Sequence, residues 1–418
     1  MMQNNKKILF VTIPEKGHIN PMIGVAQALQ KYGCNLAFFA VADISEQIKK
    51  AGLDIPVYFD KHPKSDKEAF LTKGKAFAEK IKNKEWMQQW IKTLLIDAVP
   101  EQIPVLEKVI DDFQPTLIVT DPMMYAAALV AESKKIPWAG ISSSLNPITP
   151  DNWSCELTET LTLYQKEREQ LFQKSAQTPH FKISDLISPW LNIVFSTEAY
   201  IPRWLSQNDF SFYVGTSFNE KNRGDEQDFP FHLLKPNCKK VYMSLGSQVY
   251  YHPHLFKAVQ EALMDTEVQL IFAVNELMNT DFIHELNENV IAVSYAPQLE
   301  LLPHIDLMIS HGGANSVMEC LAYGKPIALF PLCNDQFLQA RFIREAKVGK
   351  VLDTETPDVE TYKKQLLLLL NEDTAEVKNA RIIRESFAQH NGPEEAAQLI
   401  LELAKHKKPL KPELPFEK

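Results

Sequence analysis

Short β-rich runs, most of them continuously apolar, recur along this chain of 418 residues. The first series comprises Lys7–Ile13, Asn35–Val41, Ile55–Phe59, Thr116–Thr120, Trp138–Ser142 and Asn192–Ser196. The second comprises Lys240–Leu245, Val268–Ala273, Val290–Ser294, Leu307–Ser310, Ile327–Phe330 and Lys350–Leu352. Most lack polar–apolar alternation, the pattern of strands covered on both faces. Helix-like stretches separate them, which implies βαβ units and doubly wound parallel sheets of the α/β class. Two series give two domains: an N-terminal one over 1–218, a linker over 219–236, and a C-terminal one over 237–404. The polar stretch Asn219–Asp228 inside the linker reads as a solvated loop rather than a metal site. The Lys- and Pro-rich residues 405–418 form either a loose tail or a segment crossing back onto the first domain.

A 45% hydrophobic content suits two large cores, and the formal net charge is −9. That sign disfavours nucleic acid as a partner, so a bound phosphate must be held by local donors. The five cysteines form no CxxC pair and no zinc-spaced cluster, which suits a reducing cytoplasm. The first apolar run is too short for a signal peptide, and no run is long enough to span a bilayer.

The most informative stretch is His311-Gly312-Gly313-Ala314-Asn315-Ser316-Val317-Met318-Glu319, which joins an apolar strand to a helix. A helix N-terminus carries unpaired N–H groups and about half a positive charge, and glycines let a phosphate approach the backbone. Asn315 and Ser316 suit such a terminus and can donate to phosphate oxygens. Near the N-terminus, Asn20 reads as a helix cap, Pro21 as the first helical residue and Gly33 as the stop. The loop 14–18 then lies at the carboxyl end of the first strand, where open α/β sheets bind ligands. His18 in that loop and Asp121 at the end of another strand stand at one sheet edge. A histidine with a carboxylate on its second ring nitrogen is a general base of fixed tautomer.

The ordered set Gly17-His18-Ile19-Asn20-Pro21, Ser244-Leu245-Gly246-Ser247, Tyr295-Ala296-Pro297-Gln298, His304, His311–Glu319, Gly324-Lys325-Pro326, Pro331 and Asp335-Gln336 resembles glycosyltransferases of the GT-B fold. That family includes plant secondary-metabolite glucosyltransferases and bacterial macrolide and carotenoid glycosyltransferases. The resemblance runs nearly end to end and implies two Rossmann-like domains facing across a cleft. It implies His18 as the base that deprotonates the acceptor hydroxyl and Asp121 as its partner. Tyr295 would stack on the nucleotide base, with the Ala296 backbone at the base edge. Gln298 and Glu319 would address the ribose. His311, Gly313, Asn315, Ser316 and Ser247 would hold the diphosphate, and Asp335 and Gln336 the sugar hydroxyls. Plant members usually have tryptophan where this chain has Tyr295 and Ala314.

The implied reaction is inverting transfer of a sugar, glucose before others, from a UDP-sugar to a small apolar or aromatic acceptor. Trp86, Met87, Trp90 and Trp153 are candidate acceptor-binding residues, though Trp86 and Trp90 also fit a packed helix face. No Asp-x-Asp motif offers a metal site, so no metal or other cofactor is expected. A lipophilic acceptor would bring peripheral membrane contact. The alternatives are a sugar-nucleotide epimerase and a non-catalytic nucleotide-sugar-binding partner protein. A dinucleotide-dependent oxidoreductase fits poorly, since no G-x-G-x-x-G follows the first strand.

Overall fold

The computed structural model describes residues 6–60, 72–175, 178–202, 205, 211–218 and 223–412. Its first sheet contains β1 (Lys7–Thr12), β2 (Asn35–Ala40), β3 (Val57–Phe59), β4 (Leu117–Thr120) and β5 (Trp138–Ser142). A small antiparallel hairpin follows, β6 (Phe181–Lys182) and β7 (Asp185–Leu186), before β8 (Leu191–Val194) and β9 (Ser211–Tyr213) complete the sheet. The strand order is β3-β2-β1-β4-β5-β8-β9, with every neighbouring pair parallel.

The second sheet contains β10 (Lys240–Ser244), β11 (Gln269–Ala273), β12 (Val290–Val293), β13 (Leu307–Ser310), β14 (Ile327–Leu329) and β15 (Gly349–Val351). It too is all parallel, in the order β12-β11-β10-β13-β14-β15. The central strands β1, β4, β5, β11 and β13 are buried at almost every position, as unbroken apolar runs between helical layers require. In each sheet the chain leaves one strand and returns on its other side, between β1 and β4 and between β10 and β13. Such a reversal opens a crevice at the carboxyl ends of those strands.

The first helix runs Lys16–Lys31 and begins earlier than its sequence punctuation implies. Asn20 does not cap it, and Pro21 lies inside it. Proline lacks the N–H that would bond the carbonyl four residues back, which here is that of Gly17. The sixteen-residue element survives because the gap falls within its opening turns. His18 therefore sits on the first helical turn rather than in a free loop. Gly33 ends the helix with φ +71°, as the sequence implies.

The last helix, Gly392–His406, corrects the domain reading. It packs against helix Lys16–Lys31 and strand β8, so residues 392–404 belong with the first domain and not, as their place in the sequence implies, with the second. Its buried Ala396, Ala397, Ile400 and Leu403 complete a core with Ile8, Phe10 and Met22. Apolar periodicity marks that face, but not which domain receives it. The approach is close: a Cβ added at Gly392 would stand 1.8 Å from the Thr216 carbonyl oxygen. After the helix, the Leu410 N–H donates to the Trp190 carbonyl at 2.7 Å. Residues 413–418 of the expected tail lie outside the described residues, as do linker residues 219–222.

Leu403→Ala should destabilise the protein by about 2–5 kcal/mol, the usual range for truncating a buried leucine. Equilibrium urea unfolding would measure this, and a change below about 0.5 kcal/mol would show that the helix is not part of the first core.

Candidate active site

The carboxyl edges of the two sheets face one another across a cavity of about 310 Å³. His18 and Asp121 line it from the first domain. Ser247, Tyr295, Ala296, Gln298, His311, Gly313, Asn315, Ser316, Glu319, Asp335 and Gln336 line it from the second. Residues far apart in sequence thus meet because both switch points open toward one space.

His18 Nδ1 lies 2.5 Å from Asp121 Oδ2 and 3.1 Å from Ser143 Oγ. Asp121 is 1% exposed, and its other oxygen accepts the Met123 N–H at 2.9 Å, which fixes the carboxylate. Burial alone would strip a proton from His18. The charge and hydrogen bond of Asp121 outweigh it, with help from Glu15 and Asp185, and raise His18 to about 9.

His311 shows the opposite balance: burial without a carboxylate pushes it down to about 4, so its imidazole is neutral at neutral pH. The ring is seated between two glycines. A Cβ at Gly246 or Gly313 would come within 2.6 or 2.7 Å of it. Gly246 also has φ +81°, a second reason for glycine in Ser244-Leu245-Gly246-Ser247.

Helix Ala314–Ala322 starts at Gly313 with no side-chain cap. Its opening N–H groups have no partner within the helix, and Gly313, Ala314, Asn315 and Ser316 line the cavity. The Asn315 amide instead reaches across the cleft, Nδ2 donating to the Gly17 carbonyl at 2.6 Å. That is the carbonyl Pro21 leaves free.

One helical turn on, Glu319 accepts Gln298 Nε2 at 2.6 Å and Arg223 Nη1 at 2.6 Å. Arg223 and Asp225 correct the reading of the linker as solvated. They are 8% and 9% exposed. Asp225 takes a 2.7 Å hydrogen bond from the Tyr295 hydroxyl and stands 3.5 Å from Lys16 Nζ. Lys16 in turn lies 3.6 Å from the centroid of the Tyr295 ring. Charged residues enter this interior because each finds an opposite charge there. A charge-rich stretch gives no sign of such partners in sequence, so Arg223 and Asp225 are not legible there as site residues, and Lys16 and Asn20 meet Asp225 only in the fold.

Asp335 is pushed up to about 6 by burial, moderated by its own backbone N–H and the charge on His18. Gln336 Oε1 is committed to the N–H groups of Leu332 and Cys333, at 2.8 and 3.0 Å, so this side chain also shapes the turn before its helix.

The acceptor-side tryptophans divide. Trp90 lines the cavity, together with Ile91, Leu94, Leu95, Met124 and Leu157. Trp86 stacks on Trp90 at 6.1 Å and meets Phe77 edge-on, outside the cavity wall. Met87 is core, and Trp153 packs on the second domain beneath Arg341. Trp86 and Trp153 are therefore packing residues here. Helical spacing brought both Trp86 and Trp90 to one face, but only Trp90 reaches the opening.

Among the described residues, no three His, Cys, Asp or Glu side chains cluster so as to hold a metal ion, and no helix is long and apolar enough to cross a membrane.

A titration of the His18 ring by NMR should give a midpoint near 9, and Asp121→Asn should bring it down toward the ordinary value of about 6.5. Because folding raises this pKa, the pair stabilises the fold fully below pH about 6.5 and loses that effect as pH rises through about 9. An unchanged midpoint in Asp121→Asn would remove the carboxylate as the cause.

Residues 254–394 match the family described as Glycosyltransferase family 28 C-terminal domain. Over 401 residues the chain is 27% identical to the NDP-glycosyltransferase YjiC of Bacillus licheniformis, covering 95% of this chain and 97% of that one. It is 25% identical over 422 residues to the uncharacterized UDP-glucosyltransferase YojK of Bacillus subtilis, covering 96% and 98%. The fold is similar to that of the glycotransferase of kitacinnamycin, with TM-score 0.76 at 19% identity, covering 96% of this chain and 99% of that chain. With two parallel sheets opening on one cavity and these relatives matched over nearly their full length, the chain has the GT-B fold and is a glycosyltransferase, similar to the bacterial NDP-glycosyltransferases.

Proposed function

We propose that this glycosyltransferase moves glucose from UDP-glucose to a hydroxyl of a small acceptor, with inversion at the anomeric carbon. The observation that carries this reading is the 2.5 Å His18–Asp121 pair in the same cavity as the helix start at Gly313. Asp121 occupies Nδ1, which leaves Nε2 to take the acceptor proton. The acceptor oxygen bonds to the anomeric carbon as the bond from that carbon to the diphosphate oxygen breaks. The departing diphosphate gathers charge. The free N–H groups of helix Ala314–Ala322, the neutral His311 ring and the hydroxyls of Ser316 and Ser247 can meet it.

Donor choice rests on Glu319. Its carboxylate already gathers N–H donors from Gln298 and Arg223, and the same oxygens would accept both ribose hydroxyls. That favours a ribonucleotide, in keeping with the UDP-glucosyltransferase designation of the Bacillus subtilis relative. Tyr295 offers its ring to the base once Lys16 swings aside. Asp335 beside Gln336 offers acceptors for glucose hydroxyls. The wall of Trp90, Ile91 and Leu94 suits an apolar or planar acceptor. Five unpaired thiols suit work in a reducing cytoplasm.

His18→Ala should lower transfer to 2-naphthol about a hundred- to ten-thousand-fold, leaving UDP affinity by calorimetry nearly unchanged. In the parent, kcat/KM should climb about ten-fold per pH unit until about pH 9, because only the neutral ring accepts a proton. A variant with parental turnover would refute the base assignment.

Glu319→Gln should weaken UDP binding about ten- to a hundred-fold while dTDP, which lacks the 2′-hydroxyl, loses less. This follows from the strength of hydrogen bonds to charged groups. Equal losses for both nucleotides, by calorimetry, would count against ribose recognition by this carboxylate.

A further inference from the structure

A second polar cluster shares the cavity with His18 and is assigned no contact with donor or acceptor in the scheme above, where its Asp185 acts only through its charge on His18. It is built where the loop after β5 meets the β6–β7 hairpin. Ser142 Oγ donates to Asp185 Oδ2 at 2.6 Å, and Asn146 Nδ2 donates to Asp185 Oδ1 and to Ser184 Oγ, both at 2.8 Å. These four side chains are at most 3% exposed, and Asn146, Ser184 and Asp185 line the cavity.

Two hydrogen-bonding sites in this cluster are unfilled. Asn146 Oδ1 is buried and has no partner. Its identity as the oxygen is fixed by chemistry, since the amide nitrogen must face the Asp185 carboxylate. Asp185 Oδ2 receives one hydrogen bond although a carboxylate offers about four acceptor positions in all. Both unfilled positions are acceptors, so the group that completes them is a hydrogen-bond donor. A carbonyl, ether or hydrocarbon would leave them unmet. An unmet buried acceptor is destabilising, and a buried polar cluster at the wall of a cavity that also carries Trp90, Leu94 and Leu157 needs a reason to persist. The neighbouring wall residues Trp90, Leu94 and Leu157 would hold the ring system that carries the donor.

We propose that Asn146 and Asp185 form an acceptor subsite that binds a second hydroxyl, distinct from the one His18 deprotonates. The preferred acceptor is then an apolar, ring-containing diol or polyol, not a mono-alcohol. This rests on the glycosyltransferase reading above and adds to it the polarity of the substrate. Burial pushes Asp185 up to about 6, eased by the hydrogen bond from Ser142 and reinforced by the charge on Asp121, so it is ionised and accepting at neutral pH.

The test compares 2-naphthol with its 2,3-, 2,6- and 2,7-dihydroxynaphthalene relatives, which vary the position of the second hydroxyl on one apolar frame. With the full-length protein, calorimetry should show at least one diol binding about ten-fold more tightly than 2-naphthol or better. Asn146→Ala and Asp185→Asn should each erase that gain and leave 2-naphthol affinity within about two-fold. Asn146→Ser, which keeps a hydroxyl toward Asp185, serves if the alanine variant does not fold. Equal binding of 2-naphthol and every diol, no binding of any diol, or a diol preference that survives the substitutions would overturn the subsite. Mass spectrometry of the same mixtures with UDP-glucose separates the two ideas. Sugar transfer without diol preference removes only the subsite, whereas selective diol binding without transfer from any donor removes the transferase scheme.

Discussion

The Gly17 carbonyl is one point at which the two halves of this protein meet, at the edge of the cavity. Pro21 has no N–H to offer it, so a helix that would otherwise consume its own carbonyl leaves one acceptor exposed at the sheet edge. Asn315, on the first turn of the opposing helix, fills it at 2.6 Å. The contact stands next to His18 on one side and beside the unpaired N–H groups of Ala314–Ala322 on the other. The lobe carrying the proposed base and the lobe carrying the proposed anion site are linked there by a hydrogen bond. The distances across the cavity, and the chemistry proposed for it, follow from that closure.

Two histidines in one cavity are driven to opposite charge states by what lies beside them. His18 has a fixed carboxylate at 2.5 Å and is held protonated well above its ordinary range. His311 has glycines on both sides and no carboxylate, and burial leaves it neutral. A neutral ring near a leaving diphosphate can donate a hydrogen bond without locking the product in place by full charge. A ring tied to a carboxylate is a stronger base at the moment it must hold a proton. In the proposed reaction the same side chain would serve two purposes because burial and charge are dealt out differently.

Much of the architecture was legible in the chain. Runs such as Leu307–Ile309 and Leu270–Ala273 are apolar at every position because helices cover both faces, and that pattern survives without any knowledge of neighbours. The hairpin strands Phe181–Lys182 and Asp185–Leu186 and the edge strand Ser211–Tyr213 were not legible. They are two or three residues long, too short to display a period. Trp86 and Trp90 show a different limit. Both satisfy one helical stripe and both pack edge-on against Phe77, and the few ångströms that bring only Trp90 to the opening are set by packing.

By itself, the sequence determined the two doubly wound sheets, the glycine turn at His311–Gly313 and the residue types gathered at the strand ends. Each of these is a local matter of periodicity, backbone freedom or donor chemistry. Only the tertiary structure decided that Arg223 and Asp225 leave the solvent to pair with Glu319, Tyr295 and Lys16, that the last helix crosses to the first domain, and that Asn146 and Asp185 stand in the same cavity as His18. Those outcomes depend on which charges and apolar faces meet across hundreds of residues. Such meetings are fixed by the summed packing of both lobes and leave no local mark in the chain.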